Sequence, residues 1–196
     1  TVTGVTTFML DEHIDTGGIL FQKEVGIMPD EDAGSLYSRL MTEGAALVLE
    51  TVDAVASGTA AARPQNAEGL SPERQNAPKL DRQTGLLDWN GDAGRLRNLV
   101  RGLSPRPGAH GTVLLDGQPL ELKIYAADAV SEEEAAAAGV PEDVISAAPG
   151  AVYTDRRSCI MIRCAEGLLS VRELQAPGKK RMDVRSFLAG WRGTER

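Results

Sequence analysis

Gly111-Thr112-Val113-Leu114-Leu115-Asp116-Gly117-Gln118-Pro119-Leu120-Glu121-Leu122-Lys123-Ile124-Tyr125-Ala126 reads as a β-hairpin. Two strand-like runs, 111–115 and 119–126, flank Asp116-Gly117. That dipeptide suits a tight two-residue turn, in which both central residues take positive φ. Further short strand-like runs follow at 151–154, 158–164 and 168–174. Their turns are Asp155-Arg156-Arg157 and Ala165-Glu166-Gly167. About five short strands with turn signals at this spacing predict a small antiparallel barrel. A short helix precedes it at 92–102, with Leu96, Leu99, Val100 and Leu103 inward. Ser104 to Gly108 holds two prolines and must be a loop. Residues 131–139, acidic and alanine-rich, predict a surface helix or excursion. A short helix over 183–191 closes the chain.

Upstream the character differs. Residues 2–10 and 19–27 read as strands joined by the polar turn Asp11 to Gly18. Pro29 and the acids Asp30, Glu31 and Asp32 open a helix, with acid in its first turn favoured by the helix dipole. Leu36, Leu40, Leu47, Val48, Val52 and Val55 recur at helical spacing, which predicts one apolar face. Gly44 is a weak point in that helix and Gly58 a stop. Residues 59–85 hold Pro64, Pro72, Pro78 and few large apolar side chains, a linker composition. The predicted organisation is an N-terminal unit over 1–62, a linker over 63–85 and a second domain over 86–196.

The chain has 196 residues, 42% hydrophobic and 25% charged, an ordinary globular balance. It shows no internal repeat. No apolar run approaches the ~20 residues of a membrane helix, and no signal peptide opens the chain, so the expected compartment is the cytosol. It begins on Thr1, directly on a strand-like segment, which predicts an incomplete sequence. Cys159 and Cys164 are five apart in a strand-like stretch, hence on opposite faces. They are expected to be reduced, and with no nearby His they predict no metal site.

The net charge of −7 conceals an asymmetry. From Ala151 onward ten Lys and Arg stand against five Asp and Glu, a net +5, which leaves −12 on the rest. A basic end on an acidic body fits one face meant for a polyanion, or equally a solvated surface with scattered charge.

Three stretches together resemble the methionyl-tRNA formyltransferase family. One is Gly4-Val5-Thr6-Thr7-Phe8-Met9-Leu10-Asp11 with Ile14-Asp15-Thr16-Gly17 and Ile19-Leu20. Another is Ala77-Pro78-Lys79-Leu80 with Leu87-Asp88-Trp89 and Arg101-Gly102-Leu103-Ser104-Pro105. The last is Leu174-Gln175-Ala176-Pro177-Gly178-Lys179-Lys180-Arg181-Met182. Their order and spacing carry the likeness, which runs nearly end to end. His13 departs from the family's usual Gly and Gly18 from its common Asp.

The resemblance implies the α/β remnant of a Rossmann-like formyltransferase domain followed by a small OB-like antiparallel β-barrel. It also implies transfer of a formyl group from 10-formyltetrahydrofolate to the amino group of methionyl-initiator-tRNA. The family's catalytic set is an Asn, a His and an Asp, and of these only Asp15 has a counterpart here. In such chemistry an Asn donates to the oxyanion, a His moves the proton and a carboxylate orients the imidazole. Asp15 also suits a plain turn role, since Asp can bond the backbone two residues on. His13 is not read as its partner, and His110 is expected at the surface. This chain by itself is therefore expected to be inactive, with most of the donor pocket absent.

In the resembled family the C-terminal barrel helps hold tRNA. That points to Lys179, Lys180 and Arg181, with Arg106 and Lys79 as further candidates for phosphate contact. Trp89 and Trp191 are read as core anchors rather than base-stacking groups. Two other readings remain: a stand-alone RNA-binding module, and a formyltransferase-fold enzyme acting on another acceptor.

Overall fold

The computed structural model describes residues 1–14, 16–65 and 78–191. The chain divides into two compact units, Thr1–Lys79 and Leu80–Arg196.

The N-terminal unit is a hairpin laid on one long helix. Strands β1 (Val2–Phe8) and β2 (Ile19–Gly26) pair antiparallel, from Val2 opposite Gly26 to Phe8 opposite Ile19. Helix α1 (Ala33–Ala56) then crosses the hairpin. Two of the three acids before it, Asp32 and Glu31, act differently from the expected first-turn role. Asp32 is the N-cap and accepts from the Ser35 amide at 2.8 Å. Glu31 accepts from the Met28 amide and pairs with Arg39 at 2.7 Å. Each satisfies a donor directly, which a dipole contact does not do.

The predicted apolar face of α1 splits in two. Leu47 is buried, Thr51 meets Thr7 at 2.8 Å, and Gly44 lies over Val5. Val48, Val52 and Val55 stand more than half exposed, in line with Tyr37 and Met41. At 100° per residue they fall on the neighbouring strip, and two strands cover only one strip. The helix stops where expected, with Gly58 at φ +72°. The chain then returns to the hairpin, where Arg63 exchanges backbone hydrogen bonds with Ile19.

The C-terminal unit, Leu80–Arg196, opens with a 3-10 turn (Gln83–Gly85), after which the Leu87 amide donates to the His110 carbonyl at 2.8 Å. Helix α2 (Ala93–Leu103) is capped by Asp92 and buries Leu96, Val100 and Leu103. Strands β3 (Ala109–Leu115) and β4 (Gln118–Val130) form the expected hairpin, with Asp116 and Gly117 at φ 52° and 74°.

Helices α3 (Glu132–Ala137) and α4 (Glu142–Ile145) form the acidic excursion, and Ser131 and Glu134 complete a capping box. Then come β5 (Val152–Thr154), β6 (Ile160–Arg163), β7 (Leu168–Gln175), β8 (Met182–Asp183) and α5 (Val184–Gly190). The sheet order is β3-β4-β7-β6-β5, with β8 also on β7.

This antiparallel sheet curls without a closing ladder. β3 and β5 approach each other, but side chains seal the seam. At the hairpin turn Asp116 accepts from Arg156 at 2.5 Å and from Trp191 Nε1 at 3.0 Å. The core inside holds Leu122, Ile124, Ile162, Leu169 and Leu174, all fully buried, with Trp89 and Trp191 packed against it as anchors. Both cysteines are free thiols, and Cys164 lies in the core.

Candidate nucleic-acid interface

Asp15 lies outside the described residues. Around it the turn is organised by Asp11, whose Oδ1 accepts from the His13 amide at 2.9 Å and from Thr16 Oγ1 at 2.7 Å. Gly17 is required: a Cβ there would overlap the Met9 carbonyl oxygen. Asp11, Glu12, His13, Ile14 and Thr16 are all exposed. The described residues of this turn are exposed and do not by themselves enclose a folate ring.

His110 corrects the expectation of a surface residue. It points away from the core, but the 3-10 turn covers it, leaving it 7% exposed. Its Nδ1 lies 3.2 Å from the Gly85 carbonyl oxygen. An N–H at that nitrogen satisfies the bond, and the docked turn explains the burial.

The basic candidates lie in two loops of the C-terminal unit. Arg106 is exposed between Pro105 and Pro107. Lys179, Lys180 and Arg181 are exposed at and after the turn between β7 and β8. That turn has Pro177 and Gly178 at its centre, with Gly178 at φ +70° and the Lys179 amide donating to the Ala176 carbonyl at 3.0 Å. Only a residue tolerant of positive φ fits the third position of such a turn.

One side chain stands between the two loops. Tyr125 sits where the β4–β7 register slips, between Ile124 and Ala126. A bulge leaves one residue without a ladder partner and re-aims its side chain. The Tyr125 hydroxyl donates to Gln175 Oε1 at 2.8 Å, and Gln175 Nε2 donates to the Lys179 carbonyl at 2.8 Å. The Arg181 guanidinium lies 4.7 Å from the Tyr125 ring centroid. On the side of the Arg106 loop, a Cβ on Gly108 would sit 3.2 Å from the same ring, so the loop packs tightly against it. The structure thus brings Arg106's loop and the 179–181 segment to one tyrosine. Lys79 falls within the other unit.

Several cations of the basic end are already engaged. Arg156 pairs with Asp116, Arg163 with Glu132, Arg172 with Asp128, and Arg181 with Glu173. Lys179 and Lys180 have no such partner among the described residues. Sequence reading missed Tyr125 and Lys123. The alternation of β4, with Leu122 and Ile124 buried and Lys123 exposed, is the signal that places Lys123 on the outer face.

The sequence model described as formyl transferase, C-terminal domain, matches residues 79–192, and that described as formyl transferase matches residues 1–52. The chain belongs to the formyl transferase family.

Among its relatives are proteins named methionyl-tRNA formyltransferase. That of Geobacter metallireducens is 37% identical over 98% of this chain and 55% of its own length. That of Parabacteroides distasonis is 39% identical over 98% of this chain and 56% of its own length. The chain therefore spans about half the length of the curated formyl transferases it matches. Two solved structures share the fold. HypX of Aquifex aeolicus, solved in complex with tetrahydrofolic acid, gives a TM-score of 0.64 at 19% identity, over 95% of this chain and 30% of that one. The N-formyltransferase of Helicobacter canadensis gives 0.56 at 15% identity, over 92% and 56%. No helix among the described residues is long and apolar enough to cross a membrane.

Proposed function

We propose that this chain is the C-terminal part of a methionyl-tRNA formyltransferase. In this reading residues 1–62 complete the Rossmann-like catalytic domain, 63–85 link, and 86–196 form an OB-like barrel that holds initiator methionyl-tRNA. The carrying observation is the pair of formyl transferase matches in order along one chain, with tRNA-formylating names on relatives at 37 and 39% identity. The setting is translation initiation in the cytoplasm, with 10-formyltetrahydrofolate as donor.

Asp15 supplies the catalytic carboxylate, and the imidazole and amide that work with it belong to the part of the relatives' length that this chain does not span. The chain's own histidines do not replace that imidazole: His13 is in an exposed turn and His110 is buried under Gly85 in the other unit. Lys179, Lys180, Arg181 and Arg106 face tRNA phosphates.

Two measurements test this. The 196-residue chain, given methionyl-tRNA and formyl donor, should show no turnover above background; measurable formylation refutes the division of labour. The chain should also bind initiator tRNA with strong salt dependence. Replacing Lys179 and Lys180 by Ala should flatten the slope of log affinity against log salt by about one to two. An unchanged slope removes both from the interface.

A further inference from the structure

The cations that remain unpaired on the outer face of the sheet are not confined to the 179–181 segment. Lys123 lies on β4 directly opposite Gln175 of β7, and both point outward. Gln175 is the residue that holds the Lys179 carbonyl. A groove of about 340 Å³ runs beside Lys123, with Pro107, Gly108, His110 and Glu121 among its walls, so it also reaches the Arg106 loop.

Two of the acids on this face are paired, while Asp81, on the wall of the same groove, makes no ion pair among the described residues and accepts from the Thr84 hydroxyl at 2.9 Å. Glu121 pairs with Arg82 at 2.6 Å, and Glu173 with Arg181. Lys123, Lys179, Lys180 and Arg106 make no ion pair among the described residues. Lys123 lines the groove and the other three cations lie in the two loops beside Tyr125; four such charges against Asp81 leave this face locally positive, despite the net charge of −7.

We propose that Lys123 is a further phosphate-contact residue, and that it forms one strip with Lys179 and Lys180 whose geometry is set by Tyr125. The inference rests on the reading of this surface as an RNA interface and names a contact and a positioning residue within it. Tyr125 is not a base-stacking platform. Arg181 occupies one side of its ring and Gly108 crowds its edge. Its work is done through the hydroxyl. That group orients Gln175, and Gln175 fixes the turn that carries Lys179 and Lys180 at a set distance from Lys123. Phosphates along a strand have fixed spacing, so a loosened turn costs affinity without removing a charge.

The two roles give different signatures. In the 196-residue chain, binding of a labelled initiator tRNA is measured over a salt series for four variants. Lys123→Ala should weaken binding and flatten the salt slope by about one. Tyr125→Phe keeps the ring and every cation; it should weaken binding by about three- to tenfold, the effect of one hydrogen bond, with the slope unchanged. Gln175→Leu should match Tyr125→Phe. The doubly substituted Lys179→Ala, Lys180→Ala chain is the control for the underlying reading. If that control flattens the slope while Lys123→Ala and Tyr125→Phe bind like the parent, the strip is wrong and the RNA interface stands. If the control leaves the slope unchanged, the interface fails, and the strip with it. Lys123 is exposed, so Lys123→Ala should melt like the parent, and Tyr125→Phe conserves packing, so its midpoint should fall by only about a few degrees and the chain should stay folded.

Discussion

Gly111 sits at a tightly packed point of the C-terminal unit. A Cβ placed there would lie 2.7 Å from Trp89 Cζ2 and 3.2 Å from Leu87 Cβ. Trp89 cannot simply swing away. Its Nε1 donates to the Thr112 carbonyl at 2.9 Å, and Gly150 crowds the other part of the ring at 3.4 Å from a notional Cβ. Gly111→Ala must therefore displace the indole or the strand. Overpacking a filled core costs about 1–3 kcal/mol. If the Trp89 hydrogen bond is also lost, another ~1 kcal/mol follows. The expected loss is about 2–4 kcal/mol, a large part of a small domain's stability. Urea denaturation followed by far-UV circular dichroism would measure it in every background, and Trp89 and Trp191 fluorescence would report on this unit where both are present. A double-mutant cycle sharpens the cause: in a Trp89→Leu background the penalty of Gly111→Ala should shrink by more than half. A full penalty in that background would refute the steric account, and so would an unchanged midpoint for Gly111→Ala alone.

Gly44 gives the opposite sign. It lies mid-helix, and a Cβ would meet Val5 Cγ1 at 3.7 Å, an ordinary contact, so Gly44→Ala should stabilise the N-terminal unit by about 1 kcal/mol in thermal denaturation. Asp155 should titrate far below an ordinary carboxylate. The Ser158 hydroxyl and the amides of Ser158, Arg157 and Cys159 all donate to it. A lowered folded-state value means that its contribution is complete above the unfolded value of about 3.9 and is lost as pH falls through the folded one. Carboxyl NMR should show Asp155 still ionised at pH 3, and a normal midpoint would discard this network. Burial pushes the Cys164 thiol up to about 11. Iodoacetamide at pH 8 should modify Cys159 well before Cys164 in the folded chain and both equally in denaturant; equal rates in the folded chain would contradict the burial.

What was legible in the sequence was what a local rule controls. Asp116-Gly117 announced the hairpin because both residues must adopt positive φ, and both do. Leu96, Val100 and Leu103 fell inward because α2 lays one apolar stripe on the sheet. The misses have a common origin in tertiary contact. β4 runs to Val130, four residues beyond the expected end, because the bulge at Tyr125 shifts which residues face inward and breaks the alternation a reader follows. His110 was expected in solvent because nothing local shows that Gly85 will cover it. The short β8 depends entirely on β7 as its template. At the site, the cationic run 179–181 was plain to see, but which of its charges are matched was not. Arg181 is answered by Glu173, eight residues earlier across a turn, and Lys123 joins the group only through strand pairing.

Because the curled sheet is sealed at Asp116 by side chains rather than by a ladder, its two edges should breathe independently of its middle. Deuterium would enter the amides of β5 and the far end of β3 first. Those between β4 and β7 would exchange only when the whole unit opens. Residues 86–89 run along β3 near His110 and Thr112 and should slow exchange there. The uptake map would thus show a gradient across the sheet, fastest where a single carboxylate stands in for a row of backbone bonds.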